Sequence, residues 1–445
     1  MSQDVSIVGA GLCGPLLAVL LARRGFRVTL YERGPDPREA APAGGRSINL
    51  ALAARGMAAL EQAGLMDAVR PLLIPMRGRR IHDEQGGTEL LAYGQREHEV
   101  IHSVSRAALN RLLVEAAAER GVTFRFGHEA VSIEGGGVRL IDRAGQRAVT
   151  VRPPVIAADG AGSAVRRALD AGGQLGATEA LLPHGYKELT LPPGPGGAFR
   201  LDRNALHIWP RGGFMLIALP NPFGDFTCTL FLANEGTPSF AELTNADEVD
   251  AFFRCWFGDV AELIPDLTTT FLQNPLGVLG TVRCRCWHAG EVLLIGDAAH
   301  AIVPFHGQGM NAAFEDCALL DRIAGEERSW DAAFARFESE QLPNANAIAD
   351  MALENYVEMR DTVRNPKFAL QKQLSFELER RLPERFIPRY SMVMFHADIP
   401  YAVAQRRGVV QQAILDELTR GADTLDGIDL EAAAAVVCDR LPPFS

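Results

Sequence analysis

Val5-Ser6-Ile7-Val8-Gly9-Ala10-Gly11-Leu12-Cys13-Gly14 opens the chain and decides its fold. The apolar run Val5–Val8 predicts a strand, and the glycines at 9, 11 and 14 predict a tight turn. A helix is expected from about Gly14 to Arg24 and a second strand over Arg27–Glu32, which is half of a βαβ unit. Glycine at these positions lets backbone N–H groups approach a pyrophosphate at the helix N-terminus. Ala18 and Gly25 continue the small-residue pattern and let the helix pack closely on a sheet. Glu32 ends the second strand, in place to accept hydrogen bonds from ribose hydroxyls.

A single GxGxxG is a weak signal, but two more glycine-containing segments lie far downstream. Ala158-Asp159-Gly160-Ala161-Gly162-Ser163, followed by Arg166, ends an apolar strand and enters a helix. By itself it fits an ordinary capped strand–helix turn equally well. Leu294-Ile295-Gly296-Asp297-Ala298-Ala299-His300 runs on to Pro304-Phe305-His306-Gly307-Gln308-Gly309-Met310-Asn311. Here a strand delivers the Asp297 carboxylate towards a ribityl hydroxyl. Gly307 and Gly309 then expose backbone N–H groups before a helix begins, and such a helix start favours negative charge. One nucleotide site assembled from three distant segments accounts for all of them.

The formal net charge of −11 disfavours nucleic acid and anionic membrane as main partners, because both need clustered Lys and Arg. Seven cysteines, Cys13, Cys228, Cys255, Cys284, Cys286, Cys317 and Cys438, are an odd number at low density. A reduced cytoplasmic setting fits them. Cys284 and Cys286 share a face of a strand-like run and read as structural thiols, since no second pair or histidine set completes a zinc site. The histidines show no metal spacing, so no metal is expected, and His300 and His306 read as packing or hydrogen-bonding groups. No apolar run reaches the ~18–20 residues of a membrane span, and no targeting peptide is visible.

The remaining pattern is α/β. Residues 49–70 read as helical and 71–104 as strands. Ser105 is an N-cap for a helix ending at Gly121. Thr123–Phe126, Val138–Ile141 and Val155–Ala158 read as strands, residues 184–232 as an antiparallel sheet, and Val292–Ile295 as a buried parallel strand. From about residue 308 onward the chain reads as mainly helical.

Two polar intruders lie outside the nucleotide signals. In a hairpin centred on Gly86, Arg79 and Tyr93 fall opposite each other on one face. A guanidinium forks onto a carboxylate and a phenol adds one hydrogen bond, so the pair suits an amino-acid carboxylate. Pattern alone leans instead to a surface arginine beside an ordinary strand tyrosine. Asn355 shares a helix face with Ile348, Ala352 and Met359. Its amide needs a partner in that apolar stripe, either a substrate or a neighbouring backbone group.

The three glycine segments, in this order, resemble the FAD site of the flavoprotein aromatic hydroxylase family. That resemblance implies a Rossmann-like FAD-binding domain interleaved with an antiparallel-sheet substrate domain, plus a mainly helical C-terminal region. The expected bounds are 1–75, 100–180 and 280–325 for the discontinuous FAD domain, 76–99 and 181–279 for the substrate domain, and 326–445 for the helical region. Stretches 45–52, 93–95, 186–189, 214–221 and 355–361 are similar to the branch of the family that hydroxylates L-kynurenine in tryptophan degradation, over about residues 5–410. The resemblance implies bound FAD, NADPH (less readily NADH) as transient reductant, O2, and reaction through a flavin C4a-hydroperoxide. By the same resemblance, Arg79 and Tyr93 bind the substrate carboxylate with Asn355 and Tyr390, and Phe305 contacts the ring. Gly9, Gly11, Gly14, Glu32, Arg33, Arg106, Val131, Asp159, Asp297, Gly307, Gly309, Met310 and Asn311 match the FAD side. No general base is assigned. Eukaryotic members end in a membrane-anchoring segment that this chain lacks, which implies a soluble bacterial type, monomer or homodimer.

Overall fold

The computed structural model describes residues 1–39, 49–143, 145, 147–360 and 366–444. Gly45–Ile48 and Asp361, from two of the stretches that carry the resemblance, lie outside the described residues. The N-terminal strand Asp4–Val8 sits inside a six-stranded sheet. Across that sheet the strand order is His288–Ala289, Val292–Leu294, Val155–Ala157, Asp4–Val8, Arg27–Glu32 and Thr123–Phe126. All neighbours are parallel except the first pair. Ile7, Ile156 and Leu293 form one cross-strand row and are fully buried, as a sheet covered on both faces requires. Truncating such a residue to alanine costs about 2–5 kcal/mol. The helix Cys13–Arg23 packs along the sheet with every residue from Cys13 to Leu21 buried.

Glycine is required at two points of the first turn. Gly9 has φ +106°, and a Cβ there would meet the Ala158 carbonyl oxygen at 2.3 Å. A Cβ on Gly14 would meet the Gly9 carbonyl oxygen at 2.0 Å. The turn therefore closes against the strand that carries the second glycine segment.

The second sheet has seven strands in the order Gly277–Arg283, Thr178–Leu191, Phe226–Ala233, Met215–Pro220, Ala205–Pro210, Gly78–His82 and Thr88–Ala92. Strand Phe226–Ala233 shows why the sheet has two different faces. Phe226, Cys228, Leu230 and Leu232 pack with Phe252, Phe253, Phe257 and Phe271 from the helical segments behind it. Thr227, Thr229 and Phe231 alternate to the other side and line a cavity. The helix Ala246–Trp256 on the packed side starts with a capping box between Asn245 and Glu248.

One expectation is overturned at residues 49–70. Asn49–Leu52 is a strand, paired antiparallel with Ile101–Ser105, and only Ala54–Gln62 and Met66–Val69 are helical. A ladder to a segment some fifty residues away outweighs local helix preference. Ser105 caps the helix Arg106–Glu119 by accepting from the Ala108 N–H. The last third of the described chain is helical, led by the 31-residue helix Trp330–Arg360. Among the described residues no helix is long and apolar enough to cross a membrane.

Candidate functional site

A cavity of about 730 Å³ lies between the two sheets, with wall residues from all three glycine segments. A Cβ added to Gly11, Gly160 or Gly162 would meet nothing within 4 Å, so backbone faces open space there. Gly307, with φ +64°, and Gly309 line the same end, and the 18-residue helix Gly309–Glu326 begins against it. Its first N–H groups and the exposed Asp297 carboxylate border one space. Arg106, exposed at the first position of its helix, lines this cavity too. This end fits a dinucleotide: open backbone for a pyrophosphate, a carboxylate for hydroxyls and a helix start for an electron-rich ring. Asn49 Oδ1 and Thr281 Oγ1 are buried without a partner among the described residues, and both residues line the cavity.

Several expected contacts are already engaged within the protein. Glu32 accepts from the Ala10 N–H at 2.7 Å and the Gly34 N–H at 2.6 Å, so it braces the first turn. Asp159 accepts from the Ser163 hydroxyl at 2.5 Å and from the Ala164 and Val165 N–H groups, which caps the helix Ala164–Leu169. The Asn311 amide is buried and ties its loop to Ala51 and Ala53. Met310 is buried and lines the cavity. Arg33 is exposed and Val131 is 42% exposed, the extra residue of a bulge in the strand His128–Glu134. Neither is among the cavity's lining residues.

Two braces escaped sequence reasoning. Asp316 is buried and accepts from the Gly296 N–H at 3.0 Å, His300 Nε2 at 2.6 Å and Gln341 Nε2 at 2.9 Å. Burial works against a charged His300, but Asp316 outweighs it and raises the imidazole pKa. Arg166 is buried and donates to the Ala298 and Ala161 carbonyls, which joins the second glycine segment to the third. The Arg166–Ala298 contact spans 132 residues, and Asp316 reaches partners 16 to 25 residues away on other elements, so no local pattern announces either.

The other end of the cavity carries Arg79, Tyr93 and Tyr390. Arg79 is 8% exposed and Tyr93 4%, so the pair is buried rather than on the surface. The hairpin register differs from the one expected. Arg79 pairs with Leu91, and the Tyr93 N–H donates to Arg77. Asp83 causes this: its N–H donates to Gly87, and its carboxylate accepts from the Gln85 and Gly87 N–H groups, which centres the turn on Gln85. Arg79 and Tyr93 become diagonal neighbours, still on one face. Burial opposes the Arg79 charge, but Tyr390, Glu358 and Tyr93 outweigh it and raise its pKa. Glu358 Oε1 lies 3.3 Å from its Nη1.

Asn355 is buried in the stripe the periodicity indicates, and its Nδ2 donates to the Phe305 carbonyl at 2.6 Å. Phe305 in turn stacks on Tyr356 at 4.1 Å and lines the cavity. The amide's partner is thus a backbone group. His306 stacks on Tyr390 at 5.4 Å, and burial pushes its pKa down to about 3. Arg79, Tyr93, His306 and Tyr390 also wall a second cavity of about 150 Å³. Lys372 lines that cavity, and burial lowers its pKa to about 8. Between the two ends the main cavity is apolar, with Met215, Ile217, Leu219 and Phe231 on the sheet side. The whole can hold a dinucleotide at one end, a carboxylate at the other and a flat ring between them with little water.

Comparison with known proteins gives the family and the fold. The FAD binding domain family matches residues 2–209 and 264–352. Kynurenine 3-monooxygenase of Stenotrophomonas maltophilia (strain K279a) is 50% identical over 99% of this chain and 98% of its own length. Kynurenine 3-monooxygenase of Myxococcus xanthus (strain DK1622) is 46% identical over 99% and 96%. Among solved structures, 2-methyl-3-hydroxypyridine-5-carboxylic acid oxygenase in its tetrameric form aligns with a TM-score of 0.66 at 18% identity, covering 82% of this chain and 94% of that one. PqsL of P. aeruginosa, in complex with 2-aminobenzoylacetate, aligns at 0.64 and 23% identity over 81% and 97%. At these identities the two structures speak for the fold alone.

Proposed function

The chain belongs to the kynurenine 3-monooxygenase family, and we propose that it adds one oxygen atom to L-kynurenine at the ring carbon ortho to the anilino nitrogen. FAD is the cofactor; NADPH is the reductant and O2 the oxidant in this reading. Bound FAD supplies the electrons that divide O2, one atom going to the ring and the other leaving as water. The observation that carries the assignment is a buried Arg79 beside two stacked phenols, the buried Tyr93 and the half-buried Tyr390, across an apolar span from the glycine-lined end. A substrate with a carboxylate at one end and a ring at the other fits that span.

Arg79 would fork onto the carboxylate, with Tyr93 and Tyr390 supplying hydroxyls. Asn355 acts at one remove, by holding the Phe305 carbonyl so that the Phe305 ring faces the substrate ring. Fixing the carboxylate sets the position of the reacting carbon. Gly11, Gly307 and Gly309 would let backbone approach the cofactor, while Gly9 and Gly14 close the turn that presents Gly11, with Asp297 and Arg106 as side-chain contacts and the start of helix Gly309–Glu326 towards the ring. Glu32 and Asp159 shape their turns. The anilino nitrogen already donates electron density to its ortho carbon, so the side chains orient the ring and exclude water.

The test is NADPH oxidation by the purified protein with and without L-kynurenine, with the product weighed by mass spectrometry. Stimulated oxidation and a product one oxygen heavier are expected. A yellow protein indifferent to L-kynurenine would redirect the search to other aromatic acids.

A further inference from the structure

We propose that Gln308 and Tyr401 are positioning residues that join the cofactor loop to the helix bearing Tyr390, so that filling the Arg79 clamp and seating the flavin reinforce each other. The inference rests on the function proposed above. Gln308 stands between Gly307 and Gly309, both on the cavity wall, yet its own side chain is fully buried behind the loop. The Tyr401 hydroxyl donates to Gln308 Oε1 at 2.6 Å, and Gln308 Nε2 donates to Met394 Sδ at 3.0 Å. Met394 lies four residues after Tyr390 on the short helix Arg389–Phe395, hence on the same face. Tyr390 and Met394 both reach the cavity. One turn of helix therefore separates the group that closes on the carboxylate from the group that grips the cofactor loop.

The grip is closed into a ring. The Arg55 guanidinium lies 3.9 Å from the Tyr401 ring centroid and donates to the His396 and Ile399 carbonyls in the segment that follows helix Arg389–Phe395. Two residues upstream, the Ala53 N–H donates to Asn311 Oδ1 at 2.9 Å, and Asn311 Nδ2 donates to the Gly307 carbonyl at 2.8 Å. The path from Gly307 through Gln308, Tyr401, Arg55, Ala53 and Asn311 returns to Gly307. A buried polar ring holds one geometry, since each of its bonds is costly to leave unmade. Moving the Tyr390 helix onto a carboxylate shifts Met394 and hence Gln308. By linkage the coupling must run equally in both directions.

The test uses the full chain. Apoprotein is titrated with FAD by flavin fluorescence, with and without saturating L-kynurenine. In the wild type L-kynurenine should lower the FAD dissociation constant about 5-fold or more, the lower bound of ordinary coupling. The double variant Tyr401→Phe with Gln308→Met removes both polar partners together and orphans neither. It should bring that ratio close to one, and by the same linkage the variant's apoprotein and holoprotein should bind L-kynurenine with equal affinity. Tyr401→Phe alone should lower the ratio in the same sense. An unchanged ratio in the double variant overturns the proposal, as does a wild-type ratio of one. Parallel losses of FAD and L-kynurenine affinity with the ratio kept mark a merely structural role and overturn it as well. Wild-type turnover of L-kynurenine to a product one oxygen heavier is recorded alongside, so that failure of the coupling and failure of the functional reading are told apart.

Discussion

The rings of Tyr93 and Tyr390 stack face to face, their centroids 5.7 Å apart and their planes inclined by 13°. The Arg79 guanidinium lies 4.9 Å from the Tyr390 centroid and 6.0 Å from the Tyr93 centroid, so one buried cation sits beside two stacked phenols from distant parts of the chain. A carboxylate brought there gains charge-assisted hydrogen bonds away from bulk water. Arg79→Ala should weaken L-kynurenine by about 2–3 kcal/mol, roughly 30- to 150-fold in dissociation constant. Flavin absorbance changes on L-kynurenine titration measure this, and the bound FAD per chain should not fall. Wild-type affinity in the variant would remove the clamp.

The first turn separates two kinds of glycine. A Cβ on Gly14 collides with the Gly9 carbonyl, whereas one on Gly11 meets only open space. Gly14→Ala should therefore destabilise the apoprotein, by about 2 kcal/mol or more. Gly11→Ala should leave apoprotein melting unchanged and lose FAD affinity, because the methyl occupies cofactor space. Melting temperature and FAD fluorescence on both variants check the contrast; loss of apoprotein stability in Gly11→Ala would contradict it.

His306 predicts an acid-side loss of stability. Its pKa is about 3 when folded and 6.5 as a free side chain. Between those values the unfolded chain takes up a proton that the folded site refuses, so stability falls as pH drops below 6.5. At pH 5 the loss is about 2 kcal/mol. His82, held down to about 4 by burial, acts in the same sense. The raised pKa of His300 acts oppositely: its contribution is complete below 6.5 and fades as pH rises through its folded value. His306→Phe should remove most of its share of the difference between urea midpoints at pH 5 and pH 7.5. Equal slopes in variant and wild type would show that His306 is not the group responsible.

Asn355→Leu should cost about 1–3 kcal/mol, because the buried Phe305 carbonyl loses its donor. The larger effect should appear in coupling. With Phe305 freed, water reaches the reacting ring more readily, and a greater share of the NADPH consumed should end as hydrogen peroxide. A peroxide assay against hydroxylated product measures the split, and wild-type coupling would make Asn355 a packing residue only.

Local demands were legible in the amino-acid pattern, and distant juxtapositions were not. Gly9 and Gly14 answer needs set within a few residues, a positive φ and a close approach, so their spacing announced strand, turn and helix. The Ile348, Ala352, Asn355 and Met359 stripe was readable because helical period decides it; what the Asn355 amide bonds was not, since Phe305 comes from another element. Asn49-Leu50-Ala51-Leu52 reads as helix until Ile101–Ser105 pairs with it. Arg79 and Tyr93 were placed on the right face in the wrong register, because the Asp83 side chain shifts the turn by one residue. Arg166 and Arg55 show their roles only once segments far apart in the chain are side by side, and Asp316 only once the elements before and after its helix fold back on it.

The central strand of the six-stranded sheet has a consequence for synthesis. Asp4–Val8 is flanked by Val155–Ala157, which is itself flanked by Val292–Leu294. At about 5–20 residues per second, the ribosome delivers that third strand roughly 15–60 s after the first. Arg27–Glu32 is available to pair with Asp4–Val8 almost at once, but Val155–Ala157, its other neighbour, follows only after roughly 8–30 s, and the sheet stays incomplete until Val292–Leu294 joins. The nucleotide motif is among the first segments made, yet the sheet that buries its strand is closed by one of the later ones.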